Sequence, residues 1–382
     1  MYQDSILQRN SEGKNFGIFV RFLMIFGLAE ATPRRKYLYV GSMFLMVLLH
    51  FAIIDSSVIY FMVSAENWMS WKINMGYIAS QLFHILSWHS LRYERKRIIP
   101  LMLKIERLNK SDTKNKINIC VAISVCYYFI LYPSVSLVLL GDESTVLEYF
   151  LYGLSLKSDL LKNVVFFIKT MIQVSVFQFL NALMIILYLA ISYNAAKSLE
   201  EFEKDLISAA TEDIFSSRTD FAQRYIKILS TLIEIQRVFS RSSFGLCLSY
   251  IAVSFTCLAA FLLLSNIITS LIKFIYISIF LVSAISLLSI FYFAGRIPIK
   301  MTNIRSVFYA KYTEDTSVFP RTCLEGNLIP LKKLVDLPEI TLSGCDVVYY
   351  TKMNIFSAIG SFVTYSLLLL QFDNRDISLT HK

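Results

Sequence analysis

Charged residues are scarce in this sequence. Asp, Glu, Lys and Arg make up 17% of its 382 residues, whereas a typical soluble protein carries roughly a quarter. Hydrophobic residues make up 55%, aromatic residues 14%, and the mean hydropathy is +0.55. This composition excludes an ordinary soluble domain and predicts an all-α, polytopic membrane protein.

The motifs of common enzymes and metal sites are also missing. The six cysteines form no Cys-x-x-Cys pair and the four histidines form no His-Glu-x-x-His pattern. The sequence contains no phosphate-binding Gly-rich loop and no Gly-x-Ser-x-Gly turn. We therefore predict no disulfide framework, no metal site and no cofactor, and we do not expect an enzyme.

The net charge of +9 raises the question of a nucleic-acid partner. The basic residues lie in the gaps between apolar runs, where they orient a membrane protein, so no nucleic-acid partner is predicted. The first fifteen residues are polar and lack an apolar core, so we expect no cleavable signal peptide. The first span is expected to direct the chain to the membrane.

Seven long apolar runs predict seven membrane spans. A shorter segment, Phe16 to Leu28, precedes them and predicts a helix that lies at the membrane surface or packs under the bundle. The predicted spans are Tyr37 to Val63, Trp71 to Leu91, Ile117 to Leu140, Val164 to Tyr193, Phe244 to Leu271, Phe274 to Ala294, and Met353 to Phe372.

The distribution of Lys and Arg predicts the orientation of these spans. Thirty of the 37 basic residues lie in the N-terminal segment and in the connections that follow the second, fourth and sixth spans. By the positive-inside rule the N-terminus is cytoplasmic and, after seven crossings, the C-terminus is extracellular. This topology is opposite to that of G-protein-coupled receptors.

The cytoplasmic connections are much longer than the outer ones. In Ala195 to Ser242, charged and apolar residues alternate at helical spacing, which predicts helices that extend the fourth and fifth spans into the cytoplasm. Such helices are either solvated hairpins or, as we favour, a packed platform between subunits. The sequence shows no internal repeat, so a single domain spanning residues 1–382 is predicted.

Two charged residues interrupt the predicted spans. Asp55 in the first and Lys169 in the fourth both fall in the outer half, where a mutual pair would offset part of the cost of desolvation. One interpretation is that they mark a polar pocket that opens to the outside. The alternative is that they act separately, with Lys169 extending to the outer lipid headgroups and Asp55 hydrogen-bonded locally.

Aromatic and amide side chains at a similar depth predict a binding region for a small organic molecule, because apolar walls supply affinity and amides fix orientation. Pro133 is expected to kink the third span and open space beside it. His84, Trp88 and His89 are expected to serve helix packing, since only His50 could complete a metal pair. The candidate ligand-binding residues are Asp55, Tyr60, Trp71, Tyr77, Gln81, Tyr128, Tyr132, Lys169, Gln173, Phe177 and Asn266, with Asn74 and Gln178 beside them.

The last span, Met353 to Phe372, carries Thr, Tyr, Ser and Gln along its length. Polar groups are costly in lipid unless they face protein or water, so this helix is predicted to line an interface with protein or a water-filled space. Its ending, TYSLLLLQF, together with seven spans and a cytoplasmic N-terminus, resembles the insect gustatory receptor family. Tyr225 through Phe244 resembles the helix that precedes the fifth span in that family, and FVRFLMIFGL near the N-terminus resembles its beginning.

The resemblance implies a ligand-gated cation channel in the plasma membrane that opens on binding a small-molecule tastant. It implies a homotetramer, or a mixed tetramer, with membrane lipid and permeant cations as partners. Its ligand-binding bundle would span residues 37–193 and 244–294, its cytoplasmic anchor 195–242 and 295–352, and its pore helix 353–372. The last helix would be split, with its cytoplasmic part around Leu342 to Tyr350. The implied pore and gate residues are Thr364, Tyr365, Leu368, Gln371 and Phe372, with Phe372 closing the pore by dewetting.

Two other functions are compatible with a polytopic chain. A seven-helix receptor that signals through intracellular partners, without a pore of its own, would require an extracellular N-terminus. A secondary transporter would show internal repeats and broken helices at the bilayer midplane, and neither is evident in the sequence.

Overall fold

A computed structural model describes residues 17–30, 36–66, 68–109, 114–131, 133, 151–154, 158–209, 221–263, 270–316 and 332–380. Within these ranges the chain is almost entirely helical. The helices are α1 (Gly17–Ile25), α2 (Lys36–Glu66), α3 (Trp68–Tyr93), α4 (Arg95–Leu108), α5 (Lys114–Cys126), α6 (Asp159–Gln173), α7 (Leu180–Ser208), α8 (Phe221–Leu263), α9 (Ser270–Ala294), α10 (Arg296–Thr316) and α11 (Met353–Thr380). Two short antiparallel strands, β1 (Ser343–Gly344) and β2 (Val348–Tyr349), precede α11.

The first, second and last predicted spans each fall on one helix, the sixth on α9, and the fourth on α6 and α7. The third and fifth spans begin on α5 and α8, and their far ends include residues outside the described ranges. Among the described residues, four helical stretches are long and apolar enough to cross a membrane: Tyr37–Val63, Asp159–Ser208, Phe221–Leu262 and Lys273–Thr313. Asn115–Ile130 and Met353–Leu368 are shorter apolar helices. The protein is therefore a helical, multi-pass membrane protein. We call the end with the Lys- and Arg-rich connections the inner end, and the opposite end the outer end.

Helix α8 lies at the centre of the bundle. At 43 residues it is about 65 Å long, roughly twice the thickness of the hydrocarbon core, so much of it extends past the membrane. It contacts α3, α9, α7, α11 and α4. The predicted extension of the fifth span into a polar region is confirmed, and so is that of the fourth, because α7 continues as a helix to Ser208.

Small residues allow α3 and α8 to approach closely. A Cβ atom at Gly245 would lie 2.3 Å from Ser87 Oγ, and one at Gly76 would lie 2.2 Å from Thr256 Oγ1. The hydroxyl of Ser249 donates to the backbone carbonyl of Ser80 at 3.1 Å. Small side chains with interhelical hydrogen bonds are typical of helix contacts in membranes, where the hydrophobic effect does not drive helices together and close packing does.

At the inner end, helices that the sequence analysis did not predict complete the fold. Helix α4 has buried apolar residues on one face, and α10 packs along α7. Ion pairs join these helices across their polar faces: Arg296 with Glu200 (3.3 Å), Lys300 with Glu203 (3.0 Å), and Lys104 with Glu234 (2.9 Å). Two of these pairs join α10 to α7 and one joins α4 to α8, while apolar packing beneath them supplies most of the stability.

The first helix packs under the bundle, which is one of the two positions predicted for it. The side chains of Phe19 and Leu23 are fully buried, and the ring of Phe22 lies edge-on to Phe179, with centroids 5.3 Å apart. The indole of Trp88 donates to the carbonyl oxygen of Phe26 at 3.0 Å. This contact ties the end of α1 to α3.

The expectation that Leu342 to Tyr350 forms the cytoplasmic part of a split helix is wrong. These residues form a β-hairpin in which the amide of Tyr350 donates to the carbonyl of Leu342 at 2.8 Å. Cys345 and Asp346 adopt positive φ angles of 52° and 58° in the turn. β-branched and aromatic residues around a tight turn favour a hairpin over a helix.

Candidate ligand site and pore helix

The charged residues of the outer half form a buried ion pair. Lys169 Nζ lies 2.8 Å from Asp55 Oδ1, and the two side chains are 12% and 4% exposed. This pair joins α2 to α6. Removing two charges from water costs several kcal/mol per ion, and their close contact returns that cost only when further polar groups complete the arrangement.

Tyr152 completes the arrangement from a segment between α5 and α6. Its hydroxyl donates to the Asp55 carboxylate, and its ring lies 4.0 Å from the Lys169 ammonium. Burial raises the pKa of Tyr152, and the hydrogen bond to Asp55 raises it further, so the hydroxyl keeps its proton at neutral pH. Tyr152 itself has a positive φ of 57°. Tyr152 is not among the residues predicted for the site, because no local pattern connects a loop tyrosine with two distant spans.

A hydrogen-bonded pair continues this polar layer towards the middle of the bundle. Gln173 Nε2 donates to Ser56 Oγ at 3.3 Å, and Ser56 donates to the carbonyl oxygen of Ala52 at 2.7 Å. Three of the predicted residues, Asp55, Lys169 and Gln173, therefore lie together between α2 and α6. They can hold a polar group of a ligand, or hold the two helices to each other.

A second group of predicted residues lies between α2, α3 and α8. The rings of Tyr60 and Tyr77 are stacked, with centroids 5.7 Å apart and 10° between their planes. The hydroxyl of Tyr77 lies 3.4 Å from Cys257 Sγ, and Asn74 Nδ2 donates to the carbonyl oxygen of Tyr60 at 3.3 Å. Trp71 lies nearby on α3, edge-on to the ring of Phe61 at 5.6 Å.

A third group of predicted ligand residues lies where two π-helical turns interrupt the regular α-helices. One turn, Tyr127–Leu131, ends α5, and the other, Val174–Phe179, joins α6 to α7; the two turns contact each other. The first precedes Pro133, whose ring displaces the carbonyl four residues earlier, which accounts for the irregular turn predicted as a kink. The predicted residues Tyr128 and Phe177 lie in these turns. Such turns occur frequently at functional sites.

His84 lies beside the third group and is held at both ring nitrogens. Its Nδ1 is 2.6 Å from Asn181 Oδ1, and its Nε2 is 3.0 Å from the carbonyl oxygen of Val176. These contacts fit the predicted packing role and join α3 to the second π-helical turn.

Gln81 presents an unsatisfied acceptor. Its side-chain oxygen Oε1 is shielded from solvent and has no hydrogen-bond partner among the described residues. A buried polar atom without a partner costs about 1–3 kcal/mol, so a donor supplied by a ligand would be favourable here. The last two predicted ligand residues, Tyr132 and Asn266, lie outside the described residues.

The last helix contacts the bundle along a narrow aromatic seam. Tyr365 packs against Phe255 of α8 at 4.4 Å between centroids, and Phe362 lies 5.3 Å from Phe255 and 5.8 Å from Phe280 of α9. Between Met353 and Leu368, Phe362 is the only buried side chain, with 9% of its surface exposed.

The opposite face of α11 is apolar, and the described part of the chain leaves it exposed. Exposed side chains on it include Phe356, Ile359, Val363 and Leu367. Thr364 and Leu368 are also exposed. The backbone of Gln371 and Phe372 continues the same helix towards its outer end. An apolar face of this extent requires lipid or protein to cover it.

Residues of the second group and of α11 pack against the same small apolar cluster. Its buried members are Ile73, Ala259 and Ala260, and both Tyr77 and Tyr365 pack against it. A predicted ligand residue and a predicted pore residue are thus in contact with the same side chains.

The fold is similar to that of solved insect olfactory receptors. The olfactory receptor OR5 from Machilis hrabei in complex with eugenol aligns with a TM-score of 0.64 and 13% sequence identity, over 97% of this chain and 100% of that chain. A second structure, of the same receptor, aligns with a TM-score of 0.58 and 13% identity, over 96% and 99%. No family model matches the sequence, and comparison with curated proteins gives no match. These structural neighbours are receptors rather than enzymes, and at 13% identity the likeness establishes the seven-helix fold.

Proposed function

We propose that this protein is a subunit of a chemosensory, ligand-gated cation channel of the gustatory type, assembled as a tetramer in the plasma membrane. The observation that carries the proposal is α11, which contains the TYSLLLLQF motif and presents an apolar face that none of the described residues of the single chain covers. Four such helices around a common axis would cover these faces and enclose a pore. The likeness to a receptor with bound eugenol supports a small-molecule ligand.

The gate lies at the outer end of α11 in this proposal. A ring of Phe372 side chains closes the pore by dewetting, and the amide of Gln371 replaces part of the hydration of a permeating cation. Thr364, Tyr365 and Leu368 hold each α11 against its neighbours. The aromatic seam is narrow enough to let α11 move without breaking the bundle.

The ligand binds among the outer halves of α2, α3, α6 and α8. The stacked pair Tyr60 and Tyr77 offers aromatic surface, and Gln81 offers the unsatisfied acceptor, so an aromatic or alicyclic molecule with a hydroxyl group fits this region. Binding must favour the open arrangement over the closed one in order to open the channel. The cluster shared by Tyr77 and Tyr365 provides the mechanical connection.

The proposal is tested by recording currents from cells that express the chain alone while a broad tastant panel is applied. We expect a cation current with at least one compound, and a tetrameric particle after purification. A monomeric particle together with silence across the panel would refute the proposal. Epitope tags accessible only after permeabilisation at the N-terminus, and without it at the C-terminus, separate this channel from a receptor that signals through intracellular partners.

The gate is tested by Phe372→Ala. We expect a larger current in the absence of ligand, because removal of the aromatic ring lets water enter the constriction. Phe274→Ala is the matched control, since Phe274 is an exposed phenylalanine at the outer end of α9. An equal leak in wild type and in Phe372→Ala would place the gate elsewhere.

The ligand contact of Gln81 is tested by Gln81→Ala. Loss of one hydrogen bond of about 0.5–1.5 kcal/mol should raise the half-maximal concentration of a hydroxyl-bearing agonist by up to about tenfold. An agonist of the same shape without the hydroxyl should be unaffected. Leu82→Ala is the control, because Leu82 is the next residue on α3 and half of its surface is exposed.

A further inference from the structure

A cluster of basic residues lies where α3 ends and α4 begins. Residues 92–97, which we call the basic turn, contain three arginines, one lysine and one acidic residue, Glu94. Glu94 pairs with Arg97 at 3.0 Å, and the other three basic side chains form no ion pair among the described residues. By contrast, the basic side chains that join α10 to α7 at the same end are bonded to carboxylates. The basic turn therefore keeps an excess of positive charge.

Neutral groups hold the guanidinium of Arg92 in place. It lies 4.8 Å from the centre of the Trp88 ring, and its Nη2 donates at 3.6 Å to Met43 Sδ of α2, which is a weak acceptor. Its Nη1 is shielded from solvent and has no hydrogen-bond partner among the described residues. The charged group that acts on Arg92 most strongly is Arg95, which repels it. A fixed cation without a counterion is unfavourable, so an anion from outside the chain would stabilise this arrangement.

The basic turn lies at the level of the lipid headgroups at the inner end. It meets the beginning of α2 at Tyr39 and Met43. The apolar stretch of α2 starts at Tyr37 and is 27 residues long, whereas about 20 residues cross the hydrocarbon core, so its first turns extend into the interface. Tyr37, Tyr39 and Tyr93 are exposed there. Exposed tyrosines are typical of the headgroup region.

The surface next to the basic turn offers apolar contacts as well as charge. Further into the membrane, Phe44 and Val47 on α2 and Leu86 on α3 are exposed and would contact acyl chains. In the sequence, two further arginines directly precede Lys36, the first residue of α2.

We propose that the basic turn and the beginning of α2 bind the headgroup of an anionic phospholipid in the inner leaflet. The positive-inside rule makes this leaflet the cytoplasmic one, which contains the anionic lipids, and clusters of four or more Lys and Arg beside a span attract them. The guanidinium groups of Arg92 and Arg95 donate to the phosphate oxygens, a pairing that arginine geometry favours. A bound lipid therefore joins α2 to the end of α3 from the membrane side.

The experiment measures the fluorescence anisotropy of labelled phosphatidylinositol 4,5-bisphosphate as the purified chain is added in a neutral detergent. We expect saturable binding, and binding of labelled phosphatidylcholine that is weaker by about tenfold or more. Arg92→Gln, Arg95→Gln and Lys96→Gln should each raise the dissociation constant about fivefold, because each removes one positive charge near the headgroup. Lys227→Gln is the matched control, since Lys227 is exposed on the inner part of α8, and it should bind as wild type does.

A second measurement uses the wild-type protein and does not depend on whether the variants fold. A photoreactive analogue of the same lipid should crosslink to the beginning of α2 or the end of α3, as mapped by mass spectrometry. Inositol 1,4,5-trisphosphate at an equal concentration should displace little of the lipid, because it lacks acyl chains.

Four results would each overturn the proposal: equal binding of phosphatidylcholine, unchanged affinity in all three variants, crosslinks confined to other helices, or full displacement by the free headgroup. The last of these would indicate a site for soluble phosphates instead of lipid. None of these readouts requires channel activity, so the lipid site can be judged even if the proposed function fails.

Discussion

The two ends of α8 have very different surroundings. Its inner half contacts α4, α7 and the β-hairpin, and buries Tyr225, Leu232, Ile235 and Phe239 almost completely. Its outer half contacts α11 at Phe255 and at the small cluster that contains Ala259 and Ala260. One helix therefore carries both the buried inner base and the contact with α11.

The hairpin lies where these two regions meet. Gln236 of α8 accepts a hydrogen bond from the amide of Ser343 at 2.8 Å, and Ser240 accepts one from the amide of Cys345 at 2.9 Å. The hydroxyl of Tyr350 donates to Ser243 at 2.9 Å. The chain thus leaves the base from a fixed point, and α11 begins three residues after Tyr350.

The largest expected effect is at the ion pair between Asp55 and Lys169 in the outer half. Asp55→Asn and Lys169→Met should each destabilise the protein by about 3–5 kcal/mol, because each leaves one uncompensated buried charge. The double variant should be less destabilised than the sum of the two, as measured by thermal unfolding in detergent. Additive single effects would show that the two charges act independently.

The buried inner half of α8 can be tested with two adjacent residues. Leu232 is fully buried and Ile233 is 52% exposed. Leu232→Ala should cost about 2–5 kcal/mol of folding stability through lost burial and a cavity, whereas Ile233→Ala should change it by no more than about 0.5 kcal/mol. Similar losses at both positions would indicate that Ile233 is covered in the assembled protein and that the platform is an interface between subunits.

The attachment of the hairpin should have an intermediate effect. Gln236→Ala removes the acceptor for the Ser343 amide and should cost about 1–3 kcal/mol, because that amide then lacks a partner. Hydrogen exchange of the amides of Ser343 and Cys345 should accelerate. Gln236→Glu keeps an acceptor for the Ser343 amide but replaces the Nε2 that donates to Ser343 and Asp346 with a carboxylate, so it should weaken the attachment as well. Unchanged exchange in Gln236→Ala would mean that the strand pairing alone holds the hairpin.

The sequence predicted the membrane helices well because each required a long apolar run, a signal carried by neighbouring residues. It also singled out Asp55 and Lys169, because isolated charges in such runs are conspicuous. Their partner Tyr152 could not be found, since its role depends on where a loop meets two helices that are distant in sequence. Helices α4 and α10 were not predicted because their many charged residues interrupt the apolar runs from which the spans were identified. The hairpin was taken for a helix because the family resemblance outweighed the local turn residues.

The smallest expected change in folding stability is that of Tyr365→Phe, which tests whether Tyr365 acts within its own chain or also between subunits. The contact of Tyr365 with Phe255 is made by its ring, so Tyr365→Phe should leave the unfolding of the isolated chain within about 0.5 kcal/mol of wild type. If the hydroxyl bonds across to a neighbouring subunit, the same substitution should lower the stability of the tetramer in native gels or mass photometry. Phe255→Ala is the opposite control, because it removes the packing inside the chain. A Tyr365→Phe variant with an unaltered tetramer would confine the role of Tyr365 to the seam with α8, and the interface between subunits would then depend on apolar residues of the exposed face such as Val363 and Leu367.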